Sequence, residues 1–299
     1  MQQGDTYNET FAPVPNISTM RLLFALGAKN NWEIKQGDVA TAFLCASMDT
    51  EVYVSIPKWF SNNPAEHRAK GFTIHRLLKA VPGIPQGPRL WNNKSHAAYT
   101  KQGLTRCKSD HSLYVCNTRH LYLIIWVDDL FFFFPTKALI HAKALWKSLQ
   151  KDLPLDDWED VEDCLGVKVT RDRPALKLTL SQQAPLEKLL LKAGMTTCSP
   201  EHTPLSTQVR LSKEDCPKPS EALTMADEQR AYRSILASLI YFYNWTRPSI
   251  GYTISKLCRF MHNPGQIHFT CLKRLLRYLS TTRETECETF ALNLLLISS

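Results

Sequence analysis

Two adjacent aspartates, Asp128 and Asp129, interrupt a strongly apolar part of the chain, because residues 121–127 before them and 130–134 after them include no other charged side chain. Two carboxylates side by side near an apolar core repel each other unless a cation neutralises them or a pKa shifts. A divalent metal ion would provide that neutralisation. The alternative is a solvated tight turn that binds nothing. Neighbouring residues of a regular strand point to opposite faces, so one ion could bind both only if a hairpin turns here.

A third carboxylate, Asp38, stands at the end of a predicted strand at 32–38. Carboxylates from neighbouring strands suit two-metal catalysis, in which ions about 3.5–4 Å apart stabilise the attacking and leaving oxygens of a phosphoryl displacement. Asp38 is therefore a candidate third ligand. In the alternative interpretation it caps a helical turn at 39–42 and has no role in catalysis.

Apolar runs and alternating patterns place these aspartates on strands and surround them with helices. The pattern predicts a buried hairpin at 121–134. It also predicts a Pro- and Gly-rich loop at 82–88 that cannot be helical, followed by a helix from residue 90. The other predicted elements are helices at 17–29, 137–149, 185–193, 232–243 and 267–279, and strands at 52–56, 165–169 and 176–180. A polar connector at 205–228 predicts a boundary between an α+β domain and a basic helical one.

The composition is that of a folded chain. Of its 299 residues, 44% are apolar and 21% are charged, which is enough apolar material for one full core or two. The nine cysteines include no C-x₂-C pair, which argues against a zinc ribbon or a disulfide scaffold and favours reduced thiols. No apolar run reaches the roughly 20 residues that cross a bilayer, so no membrane partner is expected.

The net charge of +8 is concentrated in one segment, because residues 229–283 carry nine basic side chains and no acidic one. Aromatic residues are interleaved with these charges, which is typical of a surface that binds the phosphates and bases of nucleic acid. In the alternative, the aromatics form a helical core and the charges a solvated face. The candidate nucleic-acid contacts in this segment are Lys256, Arg259, Lys273, Arg274 and Arg277.

Three segments in order, DVATAFL at 38–44, IPQGPR at 84–89 and WVDD at 126–129, resemble the polymerase motifs of a reverse transcriptase. Further segments, including ETFAPV at 9–14, KSDHSL at 108–113 and LGV at 165–167, are similar to the Ty1/copia-type retrotransposon polyprotein. The resemblance extends from about residue 4 to residue 282. The order and spacing of the motifs make it specific.

The resemblance implies an α+β chain with a right-hand polymerase fold, followed by a basic helical connection segment. Its implied divisions are fingers and palm at 1–174 with the fingers truncated at the N-terminus, a thumb-like segment at 175–204, a linker at 205–228, the connection region at 229–283 and a divergent tail at 284–299. Asp38, Asp128 and Asp129 are the implied catalytic residues. Together with Val39 they are also the implied ligands of two Mg²⁺ ions, which Mn²⁺ could replace.

The same resemblance implies nucleotide-binding roles for Phe43, Gln86 and Arg89. Phe43 matches the residue that closes over the sugar, where an aromatic ring would exclude a ribose 2′-hydroxyl. Gln86 matches a glutamine that touches the incoming nucleotide. Trp126, where the family usually has tyrosine, joins the nucleic-acid contacts. The alternatives are core packing for Phe43, a turn position for Gln86 and ordinary helix packing for Arg89.

The implied activity is RNA-directed DNA polymerisation, with an RNA template, a DNA primer and deoxynucleotides as partners. Two other interpretations remain open. In the first, the chain is a catalytically inactive, truncated relic that keeps its fold and its nucleic-acid binding, because the family's basic strand upstream of residue 7 is expected to be missing. In the second, the same carboxylates serve a metal-dependent nuclease, which would leave Phe43 and Gln86 unexplained. A partner chain that supplies ribonuclease H or fingers elements is a further possibility.

Overall fold

The computed structural model describes residues 9–55, 74–218, 225–284 and 287–289. The chain divides into two compact units. The first contains Met1–Leu23 and Asn30–Val161, and the second contains Phe24–Lys29 and Glu162–Ser299. The first helix, α1 (Ile17–Lys29), contributes residues to both.

A six-stranded antiparallel sheet forms the centre of the first unit. Its strands are β1 (Glu33–Asp38), β4 (Thr105–Arg106), β5 (Leu113–Cys116), β6 (Leu121–Trp126), β7 (Asp129–Phe134) and β8 (Glu159–Asp160). Their order across the sheet is β4-β5-β6-β7-β1-β8. A separate two-stranded sheet pairs β2 (Tyr53–Ser55) with β3 (Ile74–Arg76). Nine of the twelve residues of β6 and β7 are buried, which explains why both strands are largely apolar runs.

Three further helices complete the first unit, and all three contribute to its main core. They are α2 (Ala42–Cys45), α3 (Gly87–Lys101) and α4 (Leu139–Asp152), the last preceded by a 3₁₀ turn at Thr136–Ala138. Trp91 and Tyr99 of α3 and Trp146 of α4 belong to the same buried cluster as Phe132 and Phe134 of β7. The aromatic side chains that follow the two aspartates therefore anchor β7 in the core.

A four-stranded antiparallel sheet and four helices form the second unit. The strands are β9 (Asp163–Cys164), β10 (Val167–Asp172), β11 (Lys177–Ser181) and β12 (Cys287–Thr289), in the order β12-β11-β10-β9. The helices are α5 (Gln183–Lys192), α6 (Ala226–Trp245), α7 (Gly251–Cys258) and α8 (Gln266–Thr281), with 3₁₀ turns at Lys213–Asp215 and Pro248–Ile250. Leucines on α5, α6, α7 and α8 form one buried cluster.

The predicted elements are largely confirmed, with two corrections. The helix predicted from residue 90 begins at Gly87, so the end of the loop at 82–88 is helical. Pro88 lies in its first turn, where a missing backbone N–H leaves no helical bond unmade. The strand predicted at 165–169 begins only at Val167. Leu165 and Gly166 have φ angles of 57° and 81° and form the turn between β9 and β10. The end of the strand predicted at 52–56 lies outside the described residues.

The chain divides at Val161 and Glu162, and not within the predicted connector at 205–228. Leu205, Val209 and Leu211 of that connector pack against the core of the second unit. These apolar side chains hold part of the polar segment against the helices of the second unit. Most of the predicted tail, residues 290–299, lies outside the described residues, whereas Cys287–Thr289 pairs with β11. The assignment of fingers, palm, thumb and connection segments stays a prediction.

Two further findings concern the described residues alone. None of their helices combines the length and the apolar character that a membrane span requires. Eight cysteines have described side chains, and all eight are free thiols.

Candidate active site

A two-residue turn joins β6 to β7 and carries the first aspartate of the pair. Trp126 is paired with Asp129 across the hairpin, so Val127 and Asp128 are its central residues. Val127 has a φ of 59°, whereas Asp128 is not among the residues with positive φ. A positive φ at the first central position only is the pattern of a type II′ turn, which normally has glycine there. A β-branched valine in this region is a strained feature of the kind found at functional sites.

The structure brings Asp38 to the same edge of the sheet. Strand β1 runs antiparallel to β7, and their register places Asp38 opposite Asp129. The amide of the next residue, Val39, donates a hydrogen bond to the carbonyl oxygen of Asp128 at 3.0 Å. The three aspartates predicted from the sequence therefore lie at one end of neighbouring strands. The Val39 amide is already bonded within the protein, which leaves its carbonyl as the group for the predicted metal contact.

Close packing on the far side of β1 fixes the position of Asp38. A Cβ atom at Gly37 would collide with the indole ring of Trp146. Glycine is therefore required at this position for α4 to pack against the strand. The indole Nε1 of Trp146 also donates to the carbonyl oxygen of Asp156 at 3.0 Å, and the Asp156 amide donates to the Asp38 carbonyl oxygen at 3.1 Å.

The pKa of Asp38 is raised above its usual range. Desolvation by the surrounding protein is the largest cause, followed by the negative charge of Asp128, and the charge of Asp156 adds a smaller contribution. The Val39 backbone acts in the opposite direction by hydrogen bonding to the carboxylate. Asp156 was missed in the sequence analysis because it lies in an acid-rich segment without a recognisable motif. Its position next to Asp38 follows from strand pairing alone.

The donor chemistry of this edge fits Mg²⁺, although the described residues contain no group of three or more His, Cys, Asp or Glu that could hold a metal ion as they stand. Magnesium prefers oxygen ligands, and it is commonly bound by one or two carboxylates together with substrate phosphates. Asp38 and Asp128 repel each other electrostatically. A cation between them would relieve that repulsion.

At the start of α3, the structure brings together two of the predicted nucleotide-binding residues. Gln86 precedes α3 and is completely buried, and neither atom of its side-chain amide has a hydrogen-bond partner among the described residues. A Cβ at Gly87 would lie 3.6 Å from Cδ1 of Phe43, so the Phe43 ring borders the start of α3. Phe43 is half-buried and packs against two hydrophobic clusters.

Arg89, the third predicted nucleotide contact, has partners within the protein. Its guanidinium donates to the Asp49 carboxylate at 2.5 Å and to the Glu9 carbonyl oxygen at 2.8 Å. The structure therefore holds the Arg89 charge in an ion pair.

The basic segment at 229–283 is less uniform than the sequence suggested. Arg247 is buried, which lowers its pKa, and its guanidinium donates to the carbonyl oxygens of Thr282 and Arg283 at 2.5 and 3.2 Å. It therefore anchors the end of α8. Arg274 forms an ion pair with Glu201 at 2.7 Å, so an acidic partner from outside the segment neutralises it. Arg277 is half-buried.

Other residues of this segment are exposed to solvent. Arg259 and Lys273 are exposed, and the Lys256 ammonium lies 5.4 Å from the centre of the Tyr252 ring. The ring of Tyr252 is itself largely exposed, whereas Tyr232, Trp245 and Phe260 are buried. Most of the aromatic residues therefore belong to the helical core, and a minority lie at the surface, where they could contact nucleic acid. Trp126 is half-buried at the end of β6.

Comparison with known proteins decides the family. The family profile described as reverse transcriptase (RNA-dependent DNA polymerase) matches residues 1–207. This chain belongs to that family. The mixed α/β fold is consistent with a reverse transcriptase domain, and relatives of the Ty1/copia type confirm the Ty1/copia resemblance.

Three curated relatives show how much of a longer protein the reverse transcriptase chain covers. It is 33% identical over 291 residues to the retrovirus-related Pol polyprotein from transposon TNT 1-94 of Nicotiana tabacum, matching 96% of this chain and 21% of the relative. It is 31% identical to the corresponding polyprotein from transposon RE2 of Arabidopsis thaliana, matching 93% of this chain and 18% of the relative. A putative transposon Ty5-1 protein of Saccharomyces cerevisiae is 30% identical, with 82% and 76% covered. The chain thus spans about a fifth of the two Pol polyproteins.

Proposed function

We propose that this reverse transcriptase domain catalyses RNA-directed DNA synthesis by adding deoxynucleotides to a primer 3′-hydroxyl. The observation that carries the proposal is the register of β1 against β7, which places Asp38 opposite Asp129 and beside the turn at Asp128. Carboxylates from two strands at one sheet edge suit phosphoryl transfer better than a solvated turn does.

In this proposal Asp38, Asp128 and Asp129, with the Val39 carbonyl, hold two Mg²⁺ ions, and Mn²⁺ can take their place. When bound, such ions lower the pKa of the attacking hydroxyl and stabilise the departing pyrophosphate. The protein's contribution is to fix the carboxylates. The buried strands β6 and β7 keep Asp128 and Asp129 at the sheet edge, and the Trp146 ring against Gly37 keeps Asp38 beside them.

Gln86 and Phe43 form the proposed nucleotide contact. The Gln86 amide is completely buried with no hydrogen-bond partner among the described residues, so a nucleotide that bonds to it restores the lost hydrogen bonds once neighbouring side chains move aside. The Phe43 ring borders the same helix start and would lie against the sugar. Arg89 contributes indirectly, because its ion pair with Asp49 holds the first turn of α3 in place.

The proposed partners are an RNA template and a DNA primer, bound through Trp126 and the exposed cations of the basic segment. Lys256, Arg259 and Lys273 provide charge for phosphate contacts, and Tyr252 provides an exposed ring on which a base can stack. Arg274 and Arg277 also belong to the proposed surface, with less charge available for phosphates because Arg274 is ion-paired with Glu201 and Arg277 is half-buried.

Primer extension tests the proposal. Purified chain is incubated with a DNA primer annealed to an RNA template, deoxynucleotides and Mg²⁺, and compared with the Asp38→Asn variant and with Asp157→Asn as a charge-matched control outside the site. We expect extension by the wild type and by Asp157→Asn, and none by Asp38→Asn or after chelation of the metal. Hybrid binding without extension would support the inactive relic, and degradation of the hybrid would support the nuclease.

A further inference from the structure

The turn that carries Asp128 adopts a backbone conformation that its sequence does not favour. Val127 has a φ of 59°, and no glycine or asparagine is present in the turn to relieve the strain. A β-branched residue rarely occupies this region unless the surrounding structure holds it there. The contacts that hold Val127 therefore also determine where Asp128 lies.

Two hydrogen bonds from outside the hairpin hold the two carbonyl groups of the turn. The indole Nε1 of Trp91 donates to the Val127 carbonyl oxygen at 2.6 Å. The Val39 amide donates to the Asp128 carbonyl oxygen at 3.0 Å. Trp91 lies on α3, the helix that begins after Gln86, and Val39 directly follows Asp38. The turn is thus fixed between the two elements that carry the other site residues.

We propose that Trp91 is a positioning residue of the active site. Its indole N–H fixes the peptide plane between Val127 and Asp128, and because that plane is rigid, its orientation sets the direction in which the Asp128 carboxylate points. Trp91 touches neither substrate nor metal in this proposal and acts through the turn alone. The inference rests on the proposed polymerase function only for its effect on rate.

The surroundings of Trp91 explain why its hydrogen bond to the Val127 carbonyl oxygen affects the position of the turn more than the folding of the chain. Trp91 is buried, yet its ring and Val127 border a cavity of about 420 Å³ that also contacts Ser95 and Ser112. Packing therefore leaves the turn room to move. Val127 is 37% exposed, so water can bond to its carbonyl when the indole donor is removed. We expect loss of the donor to loosen the turn without unfolding the chain.

The experiment replaces Trp91 with 3-benzothienylalanine, which keeps the two-ring shape and substitutes a sulfur atom for the N–H. We expect kcat for primer extension to fall about tenfold or more, because small misplacements of a reacting group are costly. Affinity for the RNA–DNA hybrid should change by less than about twofold, since the bond acts on the chemical step. Hydrogen exchange of the Val39 amide, which bonds to the turn, should become about tenfold faster. Trp91→Phe should show the same pattern with an added loss of packing.

The same replacement at Trp32 serves as the control. Trp32 stacks on Tyr122 with ring centres 5.2 Å apart, at the opposite end of β1 from Asp38, and we expect no change in exchange or rate. Faster Val39 exchange in the Trp91 variant but not in the Trp32 variant supports the inference, even if the wild type extends no primer and the proposed function fails. Wild-type exchange at Val39 in the Trp91 variant overturns the inference, whatever happens to the rate.

Discussion

The charge of a single carboxylate, Asp128, has two opposite effects in this protein. It raises the pKa of Asp38, which works against the metal-free fold, and in the proposed mechanism it binds the ion on which catalysis depends. Asp128→Asn should therefore lower primer extension by about 10³-fold, from loss of about 4 kcal/mol of transition-state stabilisation, while leaving the chain folded. Asp156→Asn removes the other charge that raises the Asp38 pKa and should keep extension near the wild-type rate.

The Asp128→Asn variant should also change how the free energy of unfolding depends on pH. Because the folded-state pKa of Asp38 is raised, the folded chain binds a proton more tightly than the unfolded chain. The contribution of Asp38 to the free energy of unfolding is therefore largest at low pH and is lost as pH rises through the titration of Asp38. In Asp128→Asn this loss should be smaller. Urea unfolding of the wild type and of Asp128→Asn, across the pH range in which carboxylates titrate, measures this loss. An unfolded Asp128→Asn variant would contradict the proposed arrangement.

Gln86 should show a trade between stability and nucleotide binding. Its amide is buried with no hydrogen-bond partner in the part of the chain that the structure describes, so Gln86→Met, which keeps the length of the side chain, should raise the free energy of unfolding by about 1 kcal/mol. The same change should raise KM for deoxynucleotides. Gln182→Met is the matched control, because the Gln182 carbonyl accepts a 2.7 Å hydrogen bond from Thr246 and its loss should destabilise the fold. A destabilised Gln86→Met would assign Gln86 a purely structural role.

In the proposed mechanism Phe43 has a steric role that can be separated from metal binding. Its ring borders Gly87 at the start of α3, and Phe43→Ala should raise ribonucleotide incorporation relative to deoxynucleotide incorporation by opening space beside the sugar. Ile84→Ala, at another side chain that contacts the position of Gly87, controls for lost packing. Equal losses with both kinds of nucleotide in Phe43→Ala would mean that the ring only packs the core.

Strands and helices could be predicted here where local pattern decides them. The hairpin of β6 and β7 follows from two apolar runs that flank two aspartates, and α1 follows from its helical spacing. The pairing of β1 with β7 joins residues about a hundred positions apart, and nothing local to either strand specifies that register. The family motifs therefore suggested that Asp38 and Asp129 share a site, and the structure was needed to show that they lie opposite each other on neighbouring strands.

Long-range contacts of single polar or charged residues could not be predicted from the sequence for the same reason. Asp110, part of the KSDHSL motif, accepts hydrogen bonds from the amides of Asn16 at 2.9 Å and Ser112 at 3.0 Å, and so ties the start of α1 to the hairpin region. Arg247 counted as a basic residue in the sequence but binds the carbonyl groups that end α8. Burial decides both roles, and burial of a charged residue follows only from the assembled core.

Helix α8 has an acid-sensitive start. His268 is completely buried, and its Nδ1 accepts a 2.9 Å hydrogen bond from the Gly265 amide, which requires a neutral ring. Burial lowers the pKa of His268, and the nearby charge of Asp215 opposes this only in part. The unfolded chain therefore gains a proton first as pH falls, and stability should drop below the ordinary histidine range by up to about 1.4 kcal/mol per pH unit.

His268→Gln tests this cap. Glutamine at this position can still accept the amide hydrogen bond, but it does not titrate. The variant should unfold with a flatter dependence on pH in the mildly acidic range, and the exposed His141→Gln in the first unit should behave like the wild type. An unchanged slope for His268→Gln would place the acid sensitivity elsewhere in the chain.

Positive charge is unevenly distributed over the whole chain. The net charge is +8, and residues 229–283 hold nine of the basic side chains, yet the structure pairs or buries several of them. Lys256, Arg259 and Lys273 are three of the exposed or half-exposed cations of this segment that form no ion pair among the described residues, and we expect them to dominate contact with phosphates. Changing all three to Gln should weaken binding to an RNA–DNA hybrid of any sequence. It should also reduce the slope of log affinity against log salt, by up to about 0.9 per lost contact on duplex DNA.

A matched triple variant makes this test specific. Lys143, Lys147 and Lys151 are exposed on α4 of the first unit, and changing them to Gln removes the same total charge from another surface. If general attraction to the whole chain drove binding, both triple variants would lose affinity and salt slope equally, because each lowers the net charge by three. A local phosphate-binding surface predicts a change only for Lys256, Arg259 and Lys273. Equal salt slopes for the two variants would therefore assign the basic segment to a solvated helix face, and nucleic-acid binding would have to depend on other residues.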